Sequence, residues 1–577
     1  MTATVAFTSA GVRWQAAPEL IDRGVLCFDG LRPSHEFTIV KQGPQCTVYR
    51  VALSGLDVHV KHYHPADARS RARSMVRQSK ARAEAARLRE TAARGVPTLE
   101  VLAVGEATPD SGARGSCLVT RTLAGARSLT AFLEEEFPLF DPARRARVRQ
   151  ALAAALGRLL ARMHDAGVVH ADLHPGNLLL RLDSDDQPEL HLIDLYAVRF
   201  SPPLDWPRSR DNLVVLNRWF ILRATRSDRL RCWRAYREAR ALPCGSRLYS
   251  EEAVRELEGD TLLSNLDFWR SRDRRCLGGN RWFRRVGSAA VRGYAAADVD
   301  PGVLAPMLAD ADEPFRRSGV VVLKDSPSST VIEFDMRVGA ALRRVIYKRF
   351  AMTRWTDPLA ALFRSPPAMR SYIMGHGLRL RGLPTPRPLA VWHRTRFGLL
   401  REGYLLTEKV HDASDVVDHA ASLGRLPSEA RRVALGSLIG QTARLVATLH
   451  ARRLSHRDLK AANLLVNAVP CRVGVRGAVE TTASGRSVEQ QIWFIDLVGV
   501  RRQVVVSPLR RARNLARLYA SFHGRGLLTR TDLLRFLRIY LGWGLRGWSD
   551  WKSWWTAIAQ AFCAKVRRNR RNRRPLR

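Results

Sequence analysis

A histidine, an aspartate and an asparagine stand at fixed spacing in HADLHPGNLLL (170–180) and again in HRDLKAANLLV (456–466). Asp172 precedes Asn177 by the same interval as Asp458 precedes Asn463, and an apolar run follows each. A further carboxylate ends the strand-like runs LHLID (Asp194) and IWFID (Asp496). A carboxylate and an amide oxygen meeting at one loop end are hard ligands suited to Mg2+, which in turn carries a nucleotide's phosphates. The other aspartate, Asp172 or Asp458, is left to accept the proton of an attacking hydroxyl. Upstream, Lys61 in VHVKHYH and Lys348 in VIYKRF supply a cation for the α/β-phosphates. Glu84, on a predicted helix, would pair with Lys61 and fix its direction.

Those residues need elements to hold them, and the chain writes the elements twice. Lys61 and Lys348 stand 287 apart, Asp172 and Asp458 286, and Asp194 and Asp496 302. Asn212 and Asn514 again differ by 302. One insertion in AVPCRVGVRGAVETTASGRSVEQQ accounts for the change, a lengthening that a surface loop tolerates. Two homologous halves follow, 36–245 and 318–545, with a basic and aromatic connecting segment over 246–317. A Trp- and Arg-rich tail occupies 546–577. Within the first half EFTIVKQG, CTVYRVAL and LDVHVKHY alternate apolar and polar residues as half-buried strands do. SRARSMVRQSKARAEAARLRETAARG then reads as a helix ended by glycine, and RQALAAALGRLLARMHDAG as a second helix leading into the motif. A strand-rich lobe leads into a helix-rich lobe, twice.

H-x-D-x4-N followed by I-D resembles the protein-kinase-like fold, with I-D in place of D-F-G. The helix followed by G-V-P-T or G-L-P-T, the run IDLVGVRR, and GLLTRTDLLRFLRIYLG resemble the lipopolysaccharide core kinases, which phosphorylate heptose or Kdo sugars. The resemblance covers both repeats and leaves 246–317 and the extreme C-terminus uncovered. It implies an α+β architecture of two tandem bilobal kinase-like domains. The implied reaction moves the γ-phosphate of ATP, with Mg2+, to a sugar hydroxyl of the inner core. Asp172 and Asp458 would be the bases, Asn177, Asp194, Asn463 and Asp496 the metal ligands, and Lys61 and Lys348 the phosphate clamps.

The copies differ in ways that bear on activity. The first keeps Lys61, Glu84, Asp172, Asn177 and Asp194, with Gly43 as the one glycine of its phosphate-covering turn. The second has no glycine in LKDSPSSTV, where serine hydroxyls stand instead, and Ser371 at the position matching Glu84. It does supply Lys460 two residues after Asp458, where the first half has His174. Lys460 is suited to stabilise a transferring phosphoryl group. A protein Ser/Thr kinase is the alternative among enzymes, although no A-P-E follows either I-D. Outside enzymes, the alternative is a scaffold of two pseudokinase halves.

Charge bounds the partners. Ninety-five Lys plus Arg against 54 Asp plus Glu give a formal charge of +41, which attracts polyphosphates, anionic lipids or nucleic acid. An arginine-rich background accounts for part of it, but KVRRNRRNRRPLR is a true cluster. No nucleic-acid recognition motif accompanies the charge. Trp543, Trp548, Trp551, Trp554 and Trp555 beside the arginine run have the composition of an interfacial membrane segment, with a core-packing last helix as the alternative. The expected partner is an anionic glycolipid reached at the cytoplasmic face of the inner membrane. No secretory signal or apolar run of membrane-spanning length appears, and the eight cysteines lack metal or redox spacing. A reducing cytosol is the expected compartment.

Overall fold

The computed structural model describes residues 4–21, 28–29, 32–33, 37–53, 55–64, 78–108, 115–243, 245–353, 361, 363–397, 399–470, 479–481, 487–542 and 550–572. These residues divide into two compact units, one up to Ser264 and the other from Asn265 on. Each unit carries a seven-stranded antiparallel sheet that is followed in the chain by helices.

In the first sheet the spatial order is Val5–Ser9, Val12–Ala16, Val101–Ala107, Ser116–Arg121, Leu56–Tyr63, Cys46–Leu53, Phe37–Gln42. The second repeats that order with Phe283–Gly287, Val291–Ala296, Pro388–Arg396, Leu399–Glu408, Ala341–Ala351, Ser329–Val338, Val321–Lys324. Residues 283–296 therefore give the second sheet the outer hairpin that residues 5–16 give the first. The same alternation that identifies the strands sets their faces: Leu56, Val58 and Val60 are buried in one core, and Lys61 falls on the opposite face. The register is also duplicated. Lys61 sits opposite Val48 and Leu118, and Lys348 opposite Val331 and Leu405.

The helix Lys80–Ala93 begins at Ser79, whose hydroxyl accepts from the Arg82 amide, and turns out at Gly95 with φ +76°. Its inward face is Ala81, Glu84, Ala85, Leu88 and Thr91. Pro367–Leu380 is its counterpart, closed by Gly382 at φ +62°. Below them, Pro142–Asp165 and Ser428–Ala451 are the long central helices of the two helical lobes.

The C-terminal helix Trp551–Arg571 packs on the second unit. Trp551, Trp554, Trp555 and Ile558 lie against its apolar core, and the Phe562 ring meets Tyr519 at 4.9 Å. These three tryptophans are thus partly buried in protein. Trp543, Trp548 and the last five residues lie outside the described residues. Among the described residues no helix is long and apolar enough to cross a membrane.

Candidate active site

Lys61 reaches across the cleft of the first half and holds two carboxylates at once. Its Nζ donates to Glu84 at 2.9 and 3.0 Å and to Asp194 Oδ1 at 2.8 Å. Glu84 is 2 % exposed, so the ion pair is shielded from solvent screening. Burial pushes the Glu84 carboxyl up and the Lys61 ammonium offsets only part of that, which leaves it above its ordinary value. Burial likewise works against the charge on Lys61, but the two carboxylates outweigh it and hold the ammonium above its ordinary value. Asp194 is raised by burial and lowered more by Lys61, which leaves it below the ordinary carboxylate range and ionised.

Asp194 occupies the left-handed region, at φ 60° and ψ 50°, and Asp496 does the same at φ 52° and ψ 64°. Left-handed backbone is a cost for a non-glycine residue, tolerated best by Asp and Asn. Both copies keep it, and in both it lets the carboxylate face the lysine of the sheet. Asn177 and Asn463 are positioned from the same place: their carbonyls accept from Ile193 N and Ile495 N, each at 3.0 Å. The Asn177 amide nitrogen donates to the Asp172 carbonyl at 2.9 Å, and Asn463 to the Asp458 carbonyl at 2.8 Å. The amide oxygen stays out of that bond, and with Asp194 it makes a set of hard oxygen donors that fits Mg2+.

His170 and His456 brace the loop from below. Both are fully buried, and their Nδ1 atoms accept from the amides of Asp172 and Asp458 at 3.2 Å. Burial holds both imidazoles below their ordinary pKa, which keeps the accepting nitrogen available. The aspartate carboxylates themselves project outward, with side-chain exposures of 73 % for Asp172 and 56 % for Asp458. Each has a nitrogen beside it: His174 Nε2 at 3.7 Å from Asp172 and Lys460 Nζ at 3.6 Å from Asp458.

The second half lacks one member of the first half's constellation. Lys348 donates to Asp496 at 3.0 Å, and at the position of Glu84 stands Ser371, buried, with its hydroxyl making no hydrogen bond. Gly43 lies in the tight turn between two strands, its amide donating to Cys46 O at 3.0 Å. A Cβ at Gly43 would meet only that carbonyl, at 3.6 Å, so the turn itself does not require glycine. In the corresponding turn of the second half Ser326 spends its hydroxyl on the Ser329 carbonyl at 2.9 Å.

One part of the site escapes a reading of the motifs. His164, on the central helix, bonds Tyr236 Oη through Nδ1 at 2.8 Å and Asn212 Oδ1 through Nε2 at 3.3 Å. Asn212 Nδ2 then donates to the His170 carbonyl at 2.8 Å, at the head of the loop that carries Asp172 and Asn177. His450, Tyr540 and Asn514 repeat the cluster at 2.8 and 3.1 Å, with Asn514 accepting from His456 N. The signal was present, since His164 and His450 share the 286-residue offset of the aspartates. Burial first, and nearby Arg240 next, lower His164 to about 3; burial lowers His450 to about 4. Both stay neutral in the folded chain and protonate near 6.5 when it unfolds. Stability is therefore complete above pH 6.5 and falls as pH drops toward those folded values, by about 1.4 kcal/mol per unit for each histidine. Urea midpoints are expected to be flat from pH 7 to 8 and to fall steadily below 6.5.

The profile of the lipopolysaccharide kinase (Kdo/WaaP) family matches residues 43–236 and 333–540, the first stretch containing Lys61, its loop and its I-D and the second Lys348, its loop and its I-D. The chain belongs to that family. A 3-deoxy-D-manno-octulosonic acid kinase of Xanthomonas campestris pv. campestris (strain B100) is 35% identical over 171 residues, 28% of this chain and 55% of that protein. A lipopolysaccharide core heptose(I) kinase WaaP of Pseudomonas aeruginosa is 33% identical over 147 residues, 25% of this chain and 53% of that one. The chain thus spans about half the length of these curated relatives. A solved structure of WaaP in complex with acyl carrier protein aligns at TM-score 0.30 and 24% identity, over 40% of this chain and 88% of that one. The family match in two segments accords with the tandem kinase-like architecture.

Proposed function

We propose that the first half is an ATP-dependent phosphotransferase acting on a sugar hydroxyl of the lipopolysaccharide inner core, heptose or Kdo. The observation that carries this is Lys61 held by both Glu84 and Asp194, a fully oriented phosphate clamp above an exposed Asp172. Lys61 would fix the α/β-phosphates. Asp172 would accept the acceptor's proton as its oxygen bonds to the γ-phosphorus and the bond to the ADP oxygen breaks. Magnesium, held by Asn177 and Asp194, would neutralise the phosphate charge.

In this reading the second half binds rather than leads the chemistry, because Lys348 has no carboxylate on its helix to aim it. Loss of orientation harms the transition state more than nucleotide binding. The two halves would serve one glycolipid at the cytoplasmic side of the inner membrane, with exposed Arg567, Arg570 and Arg571 available to anionic head groups. Ser371 in place of a pairing acid in the second half supports this division of labour.

Transfer of labelled phosphate from ATP to purified inner-core lipopolysaccharide tests it. Asp172→Ala is expected to abolish transfer and Asp458→Ala to retain the phosphorylated product. Should wild type leave the glycolipid untouched and label itself or a basic protein, the sugar-kinase reading gives way to a protein kinase. If each substitution removes a different product, both halves are enzymes.

A further inference from the structure

The two catalytic loops share a motif and differ in the charge around it. In its loop and the following helix the first half has Ala171, His174, Asp211 and Val215. At the positions matching by the repeat offsets the second half has Arg457, Lys460, Arg513 and Arg517. Two further cations, Lys565 and Arg568, come from the C-terminal helix, which Phe562 seats against Tyr519 and, at 4.8 Å, His523. The Ala461 amide of the loop donates to Ser521 Oγ at 3.0 Å, so the loop is fixed to the C-terminal end of the helix that carries Arg513 and Arg517.

These cations repel one another. Arg517 lies within electrostatic reach of Arg568, Arg457 and Arg513, and Lys565 within reach of Arg517, Arg568 and Lys460; both also feel Asp458. Burial, then that repulsion, holds both below their ordinary values. Among the described residues the ion pair in this cluster is Lys460 with Asp458 at 3.6 Å, and none forms at Arg457, Arg513, Arg517, Lys565 or Arg568. Arg517 and Lys565 are half-buried like charges with no ion pair among the described residues, while Arg457, Arg513 and Arg568 are exposed and leave this face open to an external anion.

We infer that the second half binds a sugar that already carries a phosphate monoester, with the phosphate on Arg457, Arg513, Arg517, Lys565 and Arg568 and the sugar beside Asp458. A dianion suits five cations better than a carboxylate does, and arginine forks match its oxygens. The cluster belongs to the helical side of Asp458, whereas the nucleotide's own clamp is Lys348 in the sheet. The inference rests on the reading of this chain as a sugar kinase and assigns the second half its ligand class: the phosphorylated sugar that a reaction of the first half's kind would supply.

The test is binding, so it is separate from whether the first half transfers phosphate. The full chain is titrated calorimetrically with inorganic phosphate, mannose 6-phosphate and mannose, with and without ATP. Phosphate and mannose 6-phosphate are expected to bind, mannose is not, and saturating ATP leaves the binding in place. Lys565→Gln with Arg568→Gln, both on the outer helix, is expected to weaken mannose 6-phosphate about tenfold at an unchanged thermal midpoint. Arg513→Asp, which installs the first half's residue, serves as the second variant and is expected to weaken it similarly. Absence of phosphate-dependent heat, wild-type affinity in the variants, or displacement by ATP would overturn the inference. So would a variant that loses only its affinity for vesicles containing phosphatidic acid, which would assign these cations to a membrane surface.

Discussion

Lys61→Met is expected to lower phosphate transfer by about 10²- to 10³-fold, the usual cost of removing one preorganised charge from a transition state. The ammonium is the cation that both Glu84 and Asp194 face, at 2.9 and 2.8 Å. Methionine keeps the length of the side chain and removes the charge, leaving Glu84 buried without its counter-ion. Glu84→Gln should cost less, about tenfold in kcat with little change in nucleotide affinity, since Asp194 still holds the lysine on one side. Lys348→Met tests the asymmetry. With Ser371 where the first half has Glu84, that lysine is already short of a partner, and its loss is expected to leave first-half transfer within about threefold of wild type. The measurement is kcat and KM for ATP in all three variants. Equal losses from Lys61→Met and Lys348→Met would put both clefts in the reaction path.

Asp273→Ala is expected to destabilise the second unit by about 3–5 kcal/mol, the range for removing one partner of a buried ion pair. The Asp273 side chain is 1 % exposed and takes the Arg381 guanidinium in a fork at 2.6 and 2.9 Å, and Arg502 at 2.6 Å. Arg381 is itself buried, with Trp269 beneath it at 5.3 Å and the Arg452 side chain bonded to its carbonyl. Alanine would leave that guanidinium in the interior with no carboxylate. The first half shows why the device belongs to one copy. Its equivalent arginine, Arg94, pairs with Glu90 at the surface and donates to the carbonyls of Ala166 and Ser201, at 2.8 and 3.1 Å. Hydrogen exchange is the suitable readout, because a chain of two units need not unfold in one step. Peptides covering Pro388–Glu408 should lose protection in Asp273→Ala, while those covering Val101–Arg121 should keep it. Unchanged exchange in both would show that Arg381 finds other partners.

The sequence by itself determined the duplication, the strand-then-helix order and the identity of the residues that meet in each cleft. The reason is physical: alternation of apolar and polar residues commits a strand to one face, and Lys61 had one face left to point from. The loop motif is legible for a similar reason. Asp172, Asn177 and Asp194 are held by short-range backbone bonds within or next to the motif, so a local pattern carries them. Even the missing acid at Ser371 could be read, because it is counted from a glycine that ends the helix in both copies.

Tertiary structure alone decided what arrives from far along the chain. Asp273 has no counterpart in the first half and reaches Arg381 across 108 residues, so no repeat or period announces it. The tryptophans of the tail gave two readings in sequence, and the fold places Trp551, Trp554 and Trp555 partly buried against the second core. Lys565 and Arg568 belonged to a charge run that sequence treats as a solvated tail. A helix seated by Phe562 brings Lys565 within reach of Asp458 and Arg568 within reach of Arg517, and electrostatics acts through space, without regard to chain order.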